Sequence, residues 1–185
     1  MARRHRVVGA TEPAAGGTGR KVRVICARRF SGPGAGWGVS YDLKMELSSD
    51  PRLLRVVRSA VQQLAQELGL DEPECHRVTL AVDEAVTNII RHAYQNEPGQ
   101  PIEITCSCRG PSSGGDGPDR LEILLQDCGR GVHPSELRGR PLDEVRPGGL
   151  GLHLIHEAMD EVEYQRAGQT NRLRLVKYLR KKDSH

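Results

Sequence analysis

Two apolar-alternating runs, Ile102 to Cys108 and Leu121 to Gln126, are joined only by Gly110 to Asp119, a stretch of Gly, Pro and Ser. Parallel neighbours need a crossover of a dozen or more residues, usually a helix, and this stretch has no helical periodicity. The two runs therefore read as a hairpin. A doubly wound parallel sheet fits such a chain poorly. The helices must instead come from elsewhere in the chain and cover the sheet from one side.

The rest of the chain supplies them. Tyr41, Leu43, Met45 and Leu47 alternate as a first strand. Asp50 as N-cap, Pro51 at the first helical position, apolar residues at helical spacing and Gly69 as C-cap punctuate one helix. A second helix is expected from about Pro73 to Tyr94, capped near Asp71 and stopped before Pro98. A long turn region, Cys128 to Gly148, precedes a third helix from Leu150 to Met159. Strands Glu161 to Arg166 and Arg172 to Leu179 close the chain around Gly168. The expected class is α+β: a two-layer sandwich of a mixed, mainly antiparallel sheet with helices on one face.

Charge is divided unevenly along the chain. Residues 1–38 are rich in Arg, Gly and Ala and hold a formal +7 against a whole-chain +3, leaving 39–185 at −4. Those 38 residues read as a disordered tail, dispensable for folding, ahead of one domain at 39–181. The basic pI is then a property of the tail, and the folded part carries no footprint for direct nucleic-acid binding. No apolar run approaches the ~18 residues of a membrane span, and no signal-peptide core follows the N-terminal arginines, so a cytoplasmic location is expected. The five cysteines form no CxxC pair and read as core residues and free thiols.

Three places carry polar residues where chemistry is expected. With Glu84 as zero on a helical wheel, Asn88 lies at ~40° and His92 at ~80°, beside the core-facing arc of Val78, Val82, Ala85 and Ile89. The stripe is either a half-solvated flank or a carboxylate base one turn from an amide oxygen suited to Mg²⁺. Asp127 continues the inward parity of Leu121, Ile123 and Leu125, so its carboxylate points inward. There it either closes an Asp-x-Gly turn or meets a donor such as a purine amine, with Gly129 and Gly131 allowing close approach. Gly148-Gly149-Leu150-Gly151 opens the third helix, where unpaired N–H groups favour an anion. Two common machines are excluded. Gly-Lys occurs nowhere, so there is no Walker A loop, and the only phenylalanine is Phe30, so no Asp-Phe-Gly exists.

Taken in order, the three places resemble a known family. Glu84-Ala85-Val86-Thr87-Asn88-Ile89-Ile90-Arg91-His92-Ala93-Tyr94 resembles the N box of the ATPase superfamily of gyrase, heat-shock chaperones, histidine kinases and mismatch-repair proteins. Asp127-x-Gly-x-Gly131 resembles its first glycine box, and Gly149-Leu150-Gly151-Leu152 its second. Met159-Asp160-Glu161-Val162, Gly168 and the run Arg172 to Lys177 are similar to the stand-alone anti-sigma-factor serine/threonine kinases within it. The resemblance covers about Tyr41 to Leu179 and implies a Bergerat-type ATP-binding fold. It implies Glu84 as general base, Asn88 as Mg²⁺ ligand and Asp127 as adenine reader. Gly129 and Gly131 would shape the adenine pocket, and Gly149, Leu150 and Gly151 would hold the phosphates under a lid of residues 132–148. That lid carries Arg138, Arg140 and Arg146 but neither lysine nor threonine. The family's closing Gly-Thr-Thr is here Gly168-Gln169-Thr170-Asn171, which gives Thr170 no role.

The implied function is an ATP-dependent kinase that sequesters a sigma factor and phosphorylates an anti-anti-sigma protein, with a homodimer among the assemblies allowed. The alternative is a nucleotide-gated binding module without phosphotransfer. The catalytic half of a histidine kinase is a third class, for which the length leaves no phosphoacceptor helix pair. Arg52, Arg55 and Arg58 mark a basic stripe on the first helix, and Arg55 is the closest match to the arginine that relatives use against a partner.

Overall fold

The computed structural model describes residues 22–30, 39–109, 119–131 and 150–179. Six strands form one sheet in the order β1-β2-β3-β4-β6-β5: β1 Val22–Phe30, β2 Val39–Ser48, β3 Pro101–Arg109, β4 Arg120–Asp127, β5 Glu161–Ala167 and β6 Thr170–Tyr178. All five pairings are antiparallel, so the sheet is less mixed than expected. The β3–β4 hairpin is present as the missing crossover required.

β1 corrects the expected tail. Val22, Val24 and Ile25 are β-branched residues that suit a pleated edge, and Val22 lies opposite Leu47 and packs against the core. Arginine, glycine and alanine dominate the composition around this short run and hide it. Residues 1–21 and 31–38 lie outside the described residues.

Alternation decides which side of the sheet is dry. The register aligns Leu43, Cys106, Ile123 and Leu175 in one row and Met45, Ile104, Leu125 and Leu173 in the next. Most of these side chains are fully buried, each worth about 1.5–3 kcal/mol by transfer from water. The opposite face is polar. There Lys44 pairs with Glu103 at 2.8 Å, Gln126 donates to Glu103 at 3.0 Å, and Arg174 pairs with Glu122 at 3.0 Å.

The helices cover the apolar face. Asp50 accepts from the Arg52 N–H at 3.0 Å, and a 3₁₀ turn at Pro51–Leu53 leads into α1, Leu54–Glu67. Val57, Val61 and Leu64 bury its inner stripe, and Gly69 ends it while the Leu70 N–H bonds back to the Ala65 carbonyl at 3.2 Å. Asp71 caps α2, Glu72–Asn88, through the Glu74 N–H at 2.7 Å. The third helix, α3, spans Leu150–Ala158 and packs on α2.

The expected helix to Tyr94 differs at its end. After Asn88 the backbone widens into a π turn, Ile89–Ala93, in which the Tyr94 N–H reaches the Ile89 carbonyl at 2.9 Å. The cause lies at Tyr94. Its buried ring is anchored where the hydroxyl donates to the Pro101 carbonyl at 2.6 Å and accepts from the Cys128 N–H at 2.9 Å. The widened turn carries His92 to the exposed side, so the polar stripe expected at Glu84, Asn88 and His92 stops at Asn88.

Candidate functional site

Glu84 and Asn88 are both half-buried and stand one turn apart on the side of α2 that meets α3. Gly151, the second residue of α3, sits directly against them. A Cβ added there would lie 2.7 Å from Glu84 Oε2 and 3.7 Å from Asn88 Nδ2. Any side chain at 151 would push the carboxylate aside. Among the described residues no hydrogen bond engages Glu84, which leaves both its oxygens available at the start of a helix. Gly149 and the whole of 132–148, with Arg138, Arg140 and Arg146, lie outside the described residues. Of Leu150 only the backbone is described.

Asp127 forms a second cluster at the end of β4. The register continues Leu47 and Ile102 into Asp127 and Asn171, so a polar pair takes the last positions of a core row. Asp127 is 6% exposed and Asn171 3% exposed. Asp127 Oδ1 accepts from the Gly129 N–H at 2.8 Å and from Asn171 Nδ2 at 2.7 Å. Burial pushes the Asp127 carboxyl above its usual range, against the pull of those two donors and of the Arg166 guanidinium.

The π turn joins the clusters. Its last residue, Ala93, accepts from the Arg130 N–H at 2.9 Å, and a Cβ added at Gly129 would fall 2.7 Å from the Ala93 carbonyl carbon and oxygen. Gly131 sits against the Arg166 guanidinium. Asn88 and Ala93 are five residues apart, ~7 Å of helical rise, so α2 and its π turn touch both glycine segments.

Comparison with known proteins identifies the family. The family described as the histidine kinase-like ATPase domain matches residues 47–177. The chain belongs to that family. Within it, the serine-protein kinase RsbW of Oceanobacillus iheyensis is 32% identical over 136 residues, covering 67% of this chain and 79% of that protein. The serine-protein kinase RsbW of Bacillus pumilus is 28% identical over 131 residues, 66% of this chain and 77% of that one. A solved structure, the histidine kinase domain of the Erythrobacter litoralis EL346 blue-light activated histidine kinase, is a remote likeness. Its TM-score is 0.38 at 18% identity, over 70% of this chain and 60% of that one.

Within the histidine kinase-like ATPase fold, the site contains residues that the sequence reading passed over. Asn171, Tyr164, Arg166 and Tyr94 all bond to the Asp127–Arg130 segment or to each other. The available signal was the strand register: pairing β4 with β6 puts Asn171 opposite Asp127. Arg55 lies elsewhere, in a pocket of about 290 Å³ lined by Pro51, Arg52, Leu54, Arg55 and Arg58.

The Gly129–Ala93 contact gives a stability prediction. Gly129→Ala should cost about 1–3 kcal/mol, because the obstacle is backbone and can yield only by opening the π turn. Urea unfolding of the unliganded variant measures it; an unchanged midpoint would show that the two segments separate freely.

Proposed function

We propose that this chain is an ATP-dependent serine kinase of the partner-switching type, which sequesters a sigma factor and phosphorylates its anti-anti-sigma antagonist in the cytoplasm. The observation that carries the reading is the convergence of Glu84, Asn88 and Gly151. It places a carboxylate with no hydrogen bond among the described residues, and an amide, against the first turn of a helix that can receive phosphate. Glu84 takes the proton of the incoming serine hydroxyl, and Asp127 reads the adenine amine from the far end of α2. Gly129 and Gly131 keep side chains out of the base pocket. Gly149, Leu150 and Gly151 present backbone N–H groups to the phosphates.

The donor set fits Mg²⁺ held jointly with the nucleotide. Asn88 offers one hard oxygen, and among the described residues no three acidic, His or Cys side chains gather to hold an ion alone. Bound there, the ion would neutralise phosphate charge.

A partner surface at the start of α1 follows from which cations are already engaged. Arg52 pairs with Asp50 at 2.8 Å, and Arg58 grips Asp83 on α2 through two bonds of 2.6 and 2.8 Å. Arg55 is exposed and has no carboxylate partner among the described residues. It is therefore the cation available to an acidic partner. Arg55→Glu should weaken partner capture roughly tenfold or more and leave ATP affinity unchanged, as a pull-down beside a nucleotide titration would report. Equal capture by the variant would remove this surface.

Labelled ATP tests the whole reading. Transfer to a serine of a co-purified partner supports it, while ATP binding without transfer supports the nucleotide-gated module. Label retained on the chain itself would point to the histidine-kinase class.

A further inference from the structure

Asn171 is a buried amide with every polar atom committed. Nδ2 donates to Asp127 Oδ1 at 2.7 Å, to the Arg130 carbonyl at 3.2 Å and to the Gly129 carbonyl at 3.3 Å. Oδ1 accepts from the Tyr164 hydroxyl at 2.8 Å and from Arg166 Nη1. Arg166 Nη1 also reaches the Gly129 carbonyl at 3.2 Å. The amide therefore has one permitted orientation. Exchanging its oxygen and nitrogen would set an acceptor against a carboxylate and two carbonyls, and a donor against two donors.

This geometry acts on Asp127. One carboxylate oxygen, Oδ1, is held by two donors, so the plane of the group is set. The other, Oδ2, has no hydrogen bond among the described residues, in a side chain that is almost wholly buried. That oxygen is not sealed from solvent, so a donor on a bound ligand can reach it.

We propose that Asn171, backed by Arg166 and Tyr164, is the positioning residue that makes this pocket select a 6-aminopurine nucleotide over a 6-oxopurine nucleotide. The inference rests on the ATP-site reading above and adds to it the source of its base selectivity. A fixed Oδ2 meets an exocyclic N–H as a hydrogen bond and a 6-oxo group as lone pair against anion. A carboxylate free to turn, or to recruit water, tells the two apart poorly. The same amide braces the Gly129 and Arg130 carbonyls, so carboxylate and glycine turn hold their relative place through one side chain.

The test uses the full chain and two probes, ATP and inosine triphosphate, which differ at the purine 6-position and in the base protonation that follows from it. Wild-type protein should bind ATP at least roughly 30-fold more tightly, the scale expected when an acceptor covered by a ligand loses its donor. Asn171→Leu, close in volume but without polar atoms, should bring the ratio to within roughly threefold by weakening ATP alone. A residue that only stabilises the fold would weaken both nucleotides together, and an unchanged ratio overturns the assignment. Should Asn171→Leu fail to fold, Arg166→Met removes one anchor of the amide from an exposed position and should lower the ratio part of the way; a full wild-type ratio in that variant overturns the assignment equally. Wild-type protein that binds neither nucleotide would overturn the ATP site itself, and wild-type protein that binds both alike would overturn the selectivity alone.

Discussion

Glu84→Ala should keep Mg·ATP binding and lose phosphate transfer to a partner serine by roughly 10²-fold or more, the range for removing a general base. The expectation follows from what Glu84 touches. Its Oε2 abuts Gly151 at the start of α3, and no hydrogen bond among the described residues competes for it. Phosphoryl transfer asks a protein mainly for positioning and charge neutralisation, so the base near the hydroxyl and the oxygen near the ion are separable duties. Asn88→Ala should accordingly alter how nucleotide affinity depends on Mg²⁺, an effect that Glu84→Ala lacks. Single-turnover transfer beside equilibrium ATP binding measures both. Transfer at the wild-type rate by Glu84→Ala would sink the kinase mechanism and favour the nucleotide-gated module.

Asp127→Asn should lower ATP affinity by roughly 10²-fold and yet leave the unliganded protein no less stable. The two halves have separate causes. At Oδ2 the substitution would put an amide donor against the adenine amine of the proposed site, whereas at Oδ1 it keeps the acceptor used by Gly129 and Asn171. Stability moves the other way because burial raises the carboxyl's pKa on folding. The folded protein then binds this proton more tightly than the unfolded chain, and the group's contribution to stability falls as pH rises through the raised value. At neutral pH the ionised carboxylate is a cost to the empty protein, and the amide removes it. Melting curves from pH 4 to about 7 should show wild-type protein gaining from acidification through this group and the variant lacking that gain. A variant that melts far below wild type would mean that Asp127 serves the fold as much as the ligand.

Both substitutions were visible in the sequence because periodicity says which way a side chain points. Parity along Leu121, Ile123 and Leu125 turned Asp127 inward, and the helical wheel put Glu84 and Asn88 on one flank; the structure places all three accordingly. The caps at Asp50 and Asp71 were legible for a similar reason, since a cap is a local bond within a few residues. What escaped was non-local or hidden by composition. Asn171 gains its role only once β6 is laid against β4 in one register. The π turn leaves no mark in the spacing of side chains, because its cause is a tyrosine anchored to two other segments. β1 was lost in its Arg/Gly/Ala surroundings, and Arg52 and Arg58 looked as available as Arg55 until their carboxylates were in place.

The π turn makes α2 a ruler. Asn88 stands at the graduation by Gly151 and Ala93 at the one by Gly129, and the interval between them is continuous backbone. Surrounding side chains can drift in identity while that interval stays constant, because a covalent chain in a fixed turn sets it. A single residue gained or lost between 88 and 93 would shift one glycine segment against the other, however well every contact around it were kept, and in the ATP site proposed above that shift would fall between base and phosphate.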